Sequence, residues 1–159
     1  ADYPNLLIVH SMTKNYAIPG LRLGYLLGHA TLIERIRRFT HPWSVNALAI
    51  ELGKFLLRNG KYLLPDTERL LKRKAHFVQA LDEIPGFTSL ESGTSFFLVH
   101  TLHDTRVLKQ QLLKNFGILI RDASNFRGLN EHYFRVNTLS EEKNNMLINA
   151  LKSMPIPDL

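Results

Sequence analysis

Ser11, Lys14 and Arg22 share the segment Ser11-Met12-Thr13-Lys14-Asn15-Tyr16-Ala17-Ile18-Pro19-Gly20-Leu21-Arg22-Leu23-Gly24, the serine three residues before the lysine and the arginine eight after it. A hydroxyl and a guanidinium can hold an anion such as a phosphate, while an amine between them can form a covalent imine with a carbonyl carbon. A lone Ser-x-x-Lys is a weak motif, and a loop lysine is usually a solvated charge. Two more cations sit at strand-like positions. Arg121 closes Leu119-Ile120-Arg121, and Arg135 lies in Tyr133-Phe134-Arg135-Val136, fourteen residues later. The planar fork of each suits a carboxylate or a phosphate. Each also reads as an edge-strand arginine paired with a carboxylate such as Asp122. Arg127, in the polar stretch between them, is a weaker third candidate.

Other chemistries find less support. His100 and His103 have a helix-like spacing but sit at a strand end before a helix cap, and no carboxylate or cysteine completes a ligand set, so no metal is expected. Gly20, Gly24 and Gly28 lack the strand-to-helix register of a nucleotide loop. His10 and Ser11 are adjacent in a strand and point to opposite faces, which excludes them as base and nucleophile. The absence of cysteine removes disulfides and thiol nucleophiles. The formal charge of +6 invites nucleic acid, but Arg35, Arg37, Arg38 and Lys72, Arg73, Lys74 fall on helix-like segments, as solvated faces do. A positive chain better suits small anionic ligands. With 45% hydrophobic and 21% charged residues the composition is that of a globular protein. No apolar run approaches the ~20 residues that cross a bilayer, and no secretory pattern opens the chain, so neither membrane nor export is expected and a cytoplasmic protein fits.

The elements that must position these groups follow from periodicity. Leu6 to Val9 reads as a short buried strand, Pro19-Gly20 as a turn and Leu23 to Leu27 as a second strand, which puts Lys14 on their connection. Thr31 to Phe39 reads as a helix with Leu32, Ile33 and Ile36 on one side, stopped by Pro42. Ser44 is a candidate cap for a second helix with Val45, Leu48, Ala49, Leu52, Phe55 and Leu56 as a buried face, closed by Asn59-Gly60. A longer helix runs from about Pro65 toward Glu83, striped by Leu70, Leu71, Ala75, Val78 and Leu81.

From Phe87 onward short strands alternate with helices, the pattern of a small α/β layer with its own core. Phe87 to Leu90 and Ser95 to His100 flank a Ser92-Gly93 turn. Asp104 caps a helix over Thr105 to Phe116, ended by Gly117. Ile118 to Arg121 and Tyr133 to Asn137 are further strands joined by the polar loop Asp122 to Asn130. Ser140 caps a last helix with Glu141 and Glu142 in its first turn and Met146, Leu147, Ala150 and Leu151 as its stripe; Pro155 and Pro157 end the ordered chain.

Ser11-x-x-Lys14 with Arg22 and Gly24 resembles the cofactor-lysine signature of the fold-type I pyridoxal-phosphate enzymes, the aspartate aminotransferase superfamily. Within it, Thr13 to Tyr25, Pro42-Trp43-Ser44-Val45-Asn46-Ala47-Leu48-Ala49, Ile120 to Leu129 and Tyr133 to Val136 are most similar to the threonine-phosphate decarboxylases of cobalamin biosynthesis, with histidinol-phosphate aminotransferases as near relatives. The resemblance covers nearly the whole chain.

That likeness implies an α/β chain carrying the end of the large cofactor domain, residues 1–60, and the small C-terminal domain, residues 61–159, with the helix over 61–84 bridging them. It implies Lys14 bound to pyridoxal 5'-phosphate, Ser11 and Arg22 on the cofactor phosphate, Arg135 on the substrate carboxylate and Arg121 on a second anionic group. These enzymes run well over twice this length, and the loop, aromatic and aspartate that hold the cofactor ring have no counterpart here, so the chain alone is expected to be inactive. The implied protein is a cytoplasmic homodimer, with the Pro42 to Ala49 region contributing to the contact. Its implied reaction is PLP-dependent decarboxylation of L-threonine O-3-phosphate, with an aminotransferase as the alternative and a non-enzymatic ligand-sensing or dimerisation module as a distant one.

Overall fold

In the computed structural model, which describes residues 3–154, the first apolar run forms strand β1 (Leu7–Ser11) and pairs antiparallel with β2 (Gly24–Gly28), from Leu7 opposite Gly28 to Ser11 opposite Gly24. The connection holds a single helical turn, α1 (Met12–Asn15), and a 3-10 turn over Pro19–Leu21. Helix α2 (Ala30–Arg37) follows, then α3 (Ala47–Asn59) and a 3-10 turn over Gly60–Tyr62. This is the first of two units, Ala1–Pro65 and Asp66–Leu159.

The first unit has a small core. Met12 and Leu23 pack with Ala49 and Leu56 of α3, and Tyr16, Ile18, Leu21, Tyr25 and Leu52 close around them. Gly53 lets α3 approach closely: a Cβ there would stand 3.1 Å from Leu23. Two expectations fail here. β1 is exposed rather than buried, with Val9 74% accessible, because a two-stranded pair with helices on part of one side leaves most of its surface uncovered. The cap of α3 is Asn46, whose Oδ1 accepts from the Ala49 N–H at 2.9 Å, rather than Ser44; accordingly Leu48 and Phe55 lie outside the buried face, which is Ala49, Gly53 and Leu56.

The second unit is a four-stranded antiparallel sheet with three helices on one face. Helix α4 (Thr67–Asp82) leads into β3 (Phe87–Ser89) and β4 (Phe96–Thr101); α5 (Thr105–Phe116), β5 (Arg121–Asp122), β6 (Tyr133–Asn137) and α6 (Glu141–Lys152) complete it, in the strand order β3-β4-β6-β5. Alternation along β4 and β6 sends Phe97, Val99, Phe134 and Val136 into the core against Phe77 and Leu81 of α4, Leu108 and Leu112 of α5 and Leu147 and Leu151 of α6. The helix caps fall where the sequence predicts: Asp104 accepts from the Arg106 N–H, Gly117 adopts φ +67°, and Ser140 accepts from the Lys143 N–H. A further bond from the Arg106 guanidinium holds the Asp104 carboxyl down at about 2.

The stripes need two corrections. Phe77, which the periodicity passed over, is the deeply buried aromatic of α4, while Leu71 is exposed; in α6, Ile148 is buried and Met146 is not. The helical period allows either neighbour of a stripe to turn inward, and packing against the sheet decides. The prolines at 155 and 157 lie outside the described residues.

Candidate functional site

Backbone pairing gathers the first group of candidates. Ser11 ends β1 opposite Gly24, and the Met12 N–H bonds to the Leu23 carbonyl at 3.1 Å, so Arg22 returns to the end of the hairpin where Ser11 begins the lysine turn. Gly24 is required by this approach: a Cβ would stand 2.7 Å from the His10 carbonyl oxygen. Lys14 projects from α1 as an exposed side chain whose amine has neither an ion pair nor a hydrogen bond among the described residues.

The Ser11 and Thr13 hydroxyls lie 2.8 Å apart, and Thr13 is buried, so a second hydroxyl joins the one that spacing singled out. The signal for Thr13 was its place between Ser11 and Lys14, where alternate hydroxyls converge. Arg22 sits at φ +51°, ψ +44°, a left-handed conformation that costs a non-glycine residue roughly 1–2 kcal/mol. Its Nη1 donates to the Pro19 carbonyl at 3.0 Å, which fixes the guanidinium across the turn and leaves the rest of its fork available.

Two hydroxyls, one fixed guanidinium and an amine with no counter-ion among the described residues form a donor set that fits a phosphorylated aldehyde such as pyridoxal phosphate. The fit covers the phosphate and the carbonyl carbon.

In the second unit, Arg121 and Arg135 are Cα partners across β5 and β6, so both leave the sheet on the side away from the helices. Neither pairs with a carboxylate among the described residues. Arg121 donates to the Asn125 Oδ1 at 3.2 Å and lies 5.6 Å from the centre of the Phe126 ring; Arg135 lies 5.4 Å from the centre of the Phe96 ring. Both line a groove of about 260 Å³ whose other polar members include Asn137 and Lys143. Spacing could not reveal Phe96, which meets Arg135 only through the pairing of β4 with β6, whereas Phe126 lies five residues after Arg121 in the loop that follows β5.

Asp122, the alternative partner for Arg121, faces the helices instead. It accepts from the Thr105 hydroxyl at 3.0 Å and from the Ser124 N–H and hydroxyl at 2.9 and 3.0 Å. Burial pushes its carboxyl up, but these bonds outweigh that and hold it below the ordinary range. Its work is to tie the loop after β5 to the first turn of α5. Arg127 is exposed in that same loop.

The chain resembles known proteins along nearly all of its length. The family model for class I and II aminotransferases matches residues 1–151. A threonine-phosphate decarboxylase of Salmonella typhimurium is 36% identical over 154 residues, covering 96% of this chain and 42% of that protein. A histidinol-phosphate aminotransferase of Thermoanaerobacter pseudethanolicus is 31% identical over 153 residues, again 96% of this chain and 42% of the relative. Among solved structures, the L-threonine-O-3-phosphate decarboxylase from Porphyromonas gingivalis is similar at a TM-score of 0.89 and 38% identity, covering 94% of this chain and 46% of that one. The chain thus spans less than half the length of the relatives it matches.

Proposed function

The chain belongs to the class I and II aminotransferase family, with the fold-type I architecture, and we propose that it is part of a pyridoxal-phosphate enzyme that decarboxylates L-threonine O-3-phosphate to an aminopropanol phosphate in cobalamin biosynthesis. The observation that carries this reading is the pair Arg121 and Arg135, opposed across two strands and neither paired with a carboxylate among the described residues. A substrate bearing both a carboxylate and a phosphate gives each guanidinium a partner. The likeness to threonine-phosphate decarboxylases supports the same choice.

We assign Ala1–Pro65 to the end of the cofactor domain and Asp66–Leu159 to the small domain. Ser11, Thr13 and Arg22 bind the cofactor phosphate, and Lys14 is the attachment point for its aldehyde carbon. When bound, pyridoxal phosphate supplies an electron sink for the charge left on an amino acid's α-carbon as one of its bonds breaks.

Arg135 grips the substrate carboxylate and Arg121 the phosphate, which orients the α-carbon. The bond from the α-carbon to the carboxylate then breaks, carbon dioxide leaves, and a proton takes its position. We assign that proton to Lys14, an exposed amine with no ion-pair partner among the described residues. We read the whole enzyme as a cytoplasmic homodimer, which sizing of the full-length protein tests.

The assay is of products. The full-length protein loaded with pyridoxal phosphate is expected to release carbon dioxide and 1-aminopropan-2-yl phosphate from L-threonine O-3-phosphate. The similarity to histidinol-phosphate aminotransferases supports a second reading, in which the amino group passes from histidinol phosphate to a 2-oxo acid. Consumption of that pair, with threonine phosphate untouched, would overturn the decarboxylase reading.

A further inference from the structure

Lys74 of α4 is the only charged side chain that is buried among the described residues, at 9% exposure. It meets no carboxylate among the described residues. Its Nζ donates to the Ser92 carbonyl and lies 5.8 Å from the centre of the Phe97 ring. A buried ammonium with so few partners is costly, which directs attention to what it holds.

It holds the turn between β3 and β4, and the turn holds Phe96. The Ser92 hydroxyl donates to the Phe96 carbonyl at 2.7 Å, the Thr94 hydroxyl donates to the same oxygen at 2.9 Å, and the Thr94 N–H donates to the Ser92 Oγ at 3.2 Å. Phe96 precedes by two residues Leu98, the direct partner of Arg135, so its ring lies on the diagonal where a long side chain on β6 reaches it.

An aromatic ring is a particular kind of partner for a binding arginine. It engages the flat face of the guanidinium and leaves the in-plane N–H groups free, whereas a carboxylate would occupy those groups and compete with an anionic ligand. We infer that Phe96 is a positioning residue: its ring sets the plane in which Arg135 meets the substrate carboxylate, and Lys74 secures that ring through the Ser92 turn. The inference rests on Arg135 as the carboxylate-binding residue of the proposed reaction.

The test uses the full-length enzyme loaded with pyridoxal phosphate. Phe96→Leu is expected to raise KM for L-threonine O-3-phosphate about tenfold. The inhibition constant of 1-aminopropan-2-yl phosphate, which has no carboxylate, stays within about twofold, and Phe96→Tyr restores KM. Lys74→Met gives the same selective rise; should it fail to fold, Ser92→Ala reads the next step, since it removes one bond to the Phe96 carbonyl and keeps the carbonyl that Lys74 bonds, and an unchanged KM there overturns the hold of the turn on Phe96. An unchanged KM in Phe96→Leu, or an equal loss for both ligands, overturns the role of the ring. A wild-type KM in folded Lys74→Met overturns the link through Ser92.

Failure of the decarboxylase reading is seen separately. If the wild type instead uses histidinol phosphate and 2-oxoglutarate, Phe96→Leu is expected to raise KM for 2-oxoglutarate and spare histidinol phosphate, which carries no carboxylate. A wild type that processes neither pair overturns the inference together with the reading.

Discussion

Arg121 and Arg135 stand directly opposite each other across β5 and β6, each over its own phenylalanine ring and neither with a carboxylate among the described residues. Like charges so opposed weaken a sheet by roughly 0.2–1 kcal/mol. Asp122, one residue away, could have neutralised the pair but turns to Thr105 and Ser124 instead. On the proposed function, the substrate offsets that cost.

Removing either arginine is expected to separate binding from stability. A charge-assisted hydrogen bond to a carboxylate or phosphate contributes about 1.5–3 kcal/mol, which is about ten- to more than a hundredfold in kcat/KM for threonine phosphate in Arg135→Ala or Arg121→Ala. The melting temperature should hold or rise slightly, because the repulsion is relieved. A melting temperature that falls by several degrees while kcat/KM stays at the wild-type value would make the arginines structural.

Lys14→Ala is expected to abolish turnover in the full-length enzyme without unfolding it, since the side chain is exposed and makes no contact that the fold needs. Borohydride treatment of the loaded wild type should leave the cofactor covalently fixed to Lys14, read by peptide mass. A label on another lysine refutes the assignment.

Much of this was legible in the sequence because it is local. The caps Asp104, Gly117 and Ser140 and the spacing of Ser11, Lys14 and Arg22 are short-range patterns, and the structure has each cap in the expected role. What escaped turns on which of several allowed side chains or strands finds a partner. The Asn46 cap displaced Ser44 because its side chain reaches the Ala49 N–H, Phe77 turned inward because Phe97 packs edge-on against it, and the cross-strand pairing of Arg121 with Arg135 required a register that no window of residues contains.

Gly24→Ala is expected to damage the first site from the backbone outward. The added Cβ would meet the His10 carbonyl oxygen at 2.7 Å, and no flexible side chain can give way. Strand β2 must shift from β1, which separates Ser11 from Arg22. A cost of roughly 1–3 kcal/mol is expected for such overpacking. Cofactor affinity of the full-length protein, measured by absorbance titration, should fall more than it does in Gly20→Ala, where a Cβ meets nothing within 4 Å.

His103 should make the second unit sensitive to mild acid. Its ring lies 5.4 Å from that of Phe87, and burial lowers its pKa below the ordinary 6.5. The unfolded chain therefore binds this proton at a higher pH than the folded one. Stability from the neutral ring is fully present above about 6.5 and is lost as pH falls through the lower, folded value. The carboxyls of Asp104 and Asp122 are held below their ordinary value, so their losses come at still lower pH. Thermal melts of the full-length protein at pH 7.5 and 5.5 should show the transition of this unit falling with acid, and His103→Leu, which keeps an apolar group against Phe87, should flatten that fall. An equal fall in His103→Leu would assign the acid sensitivity to another group.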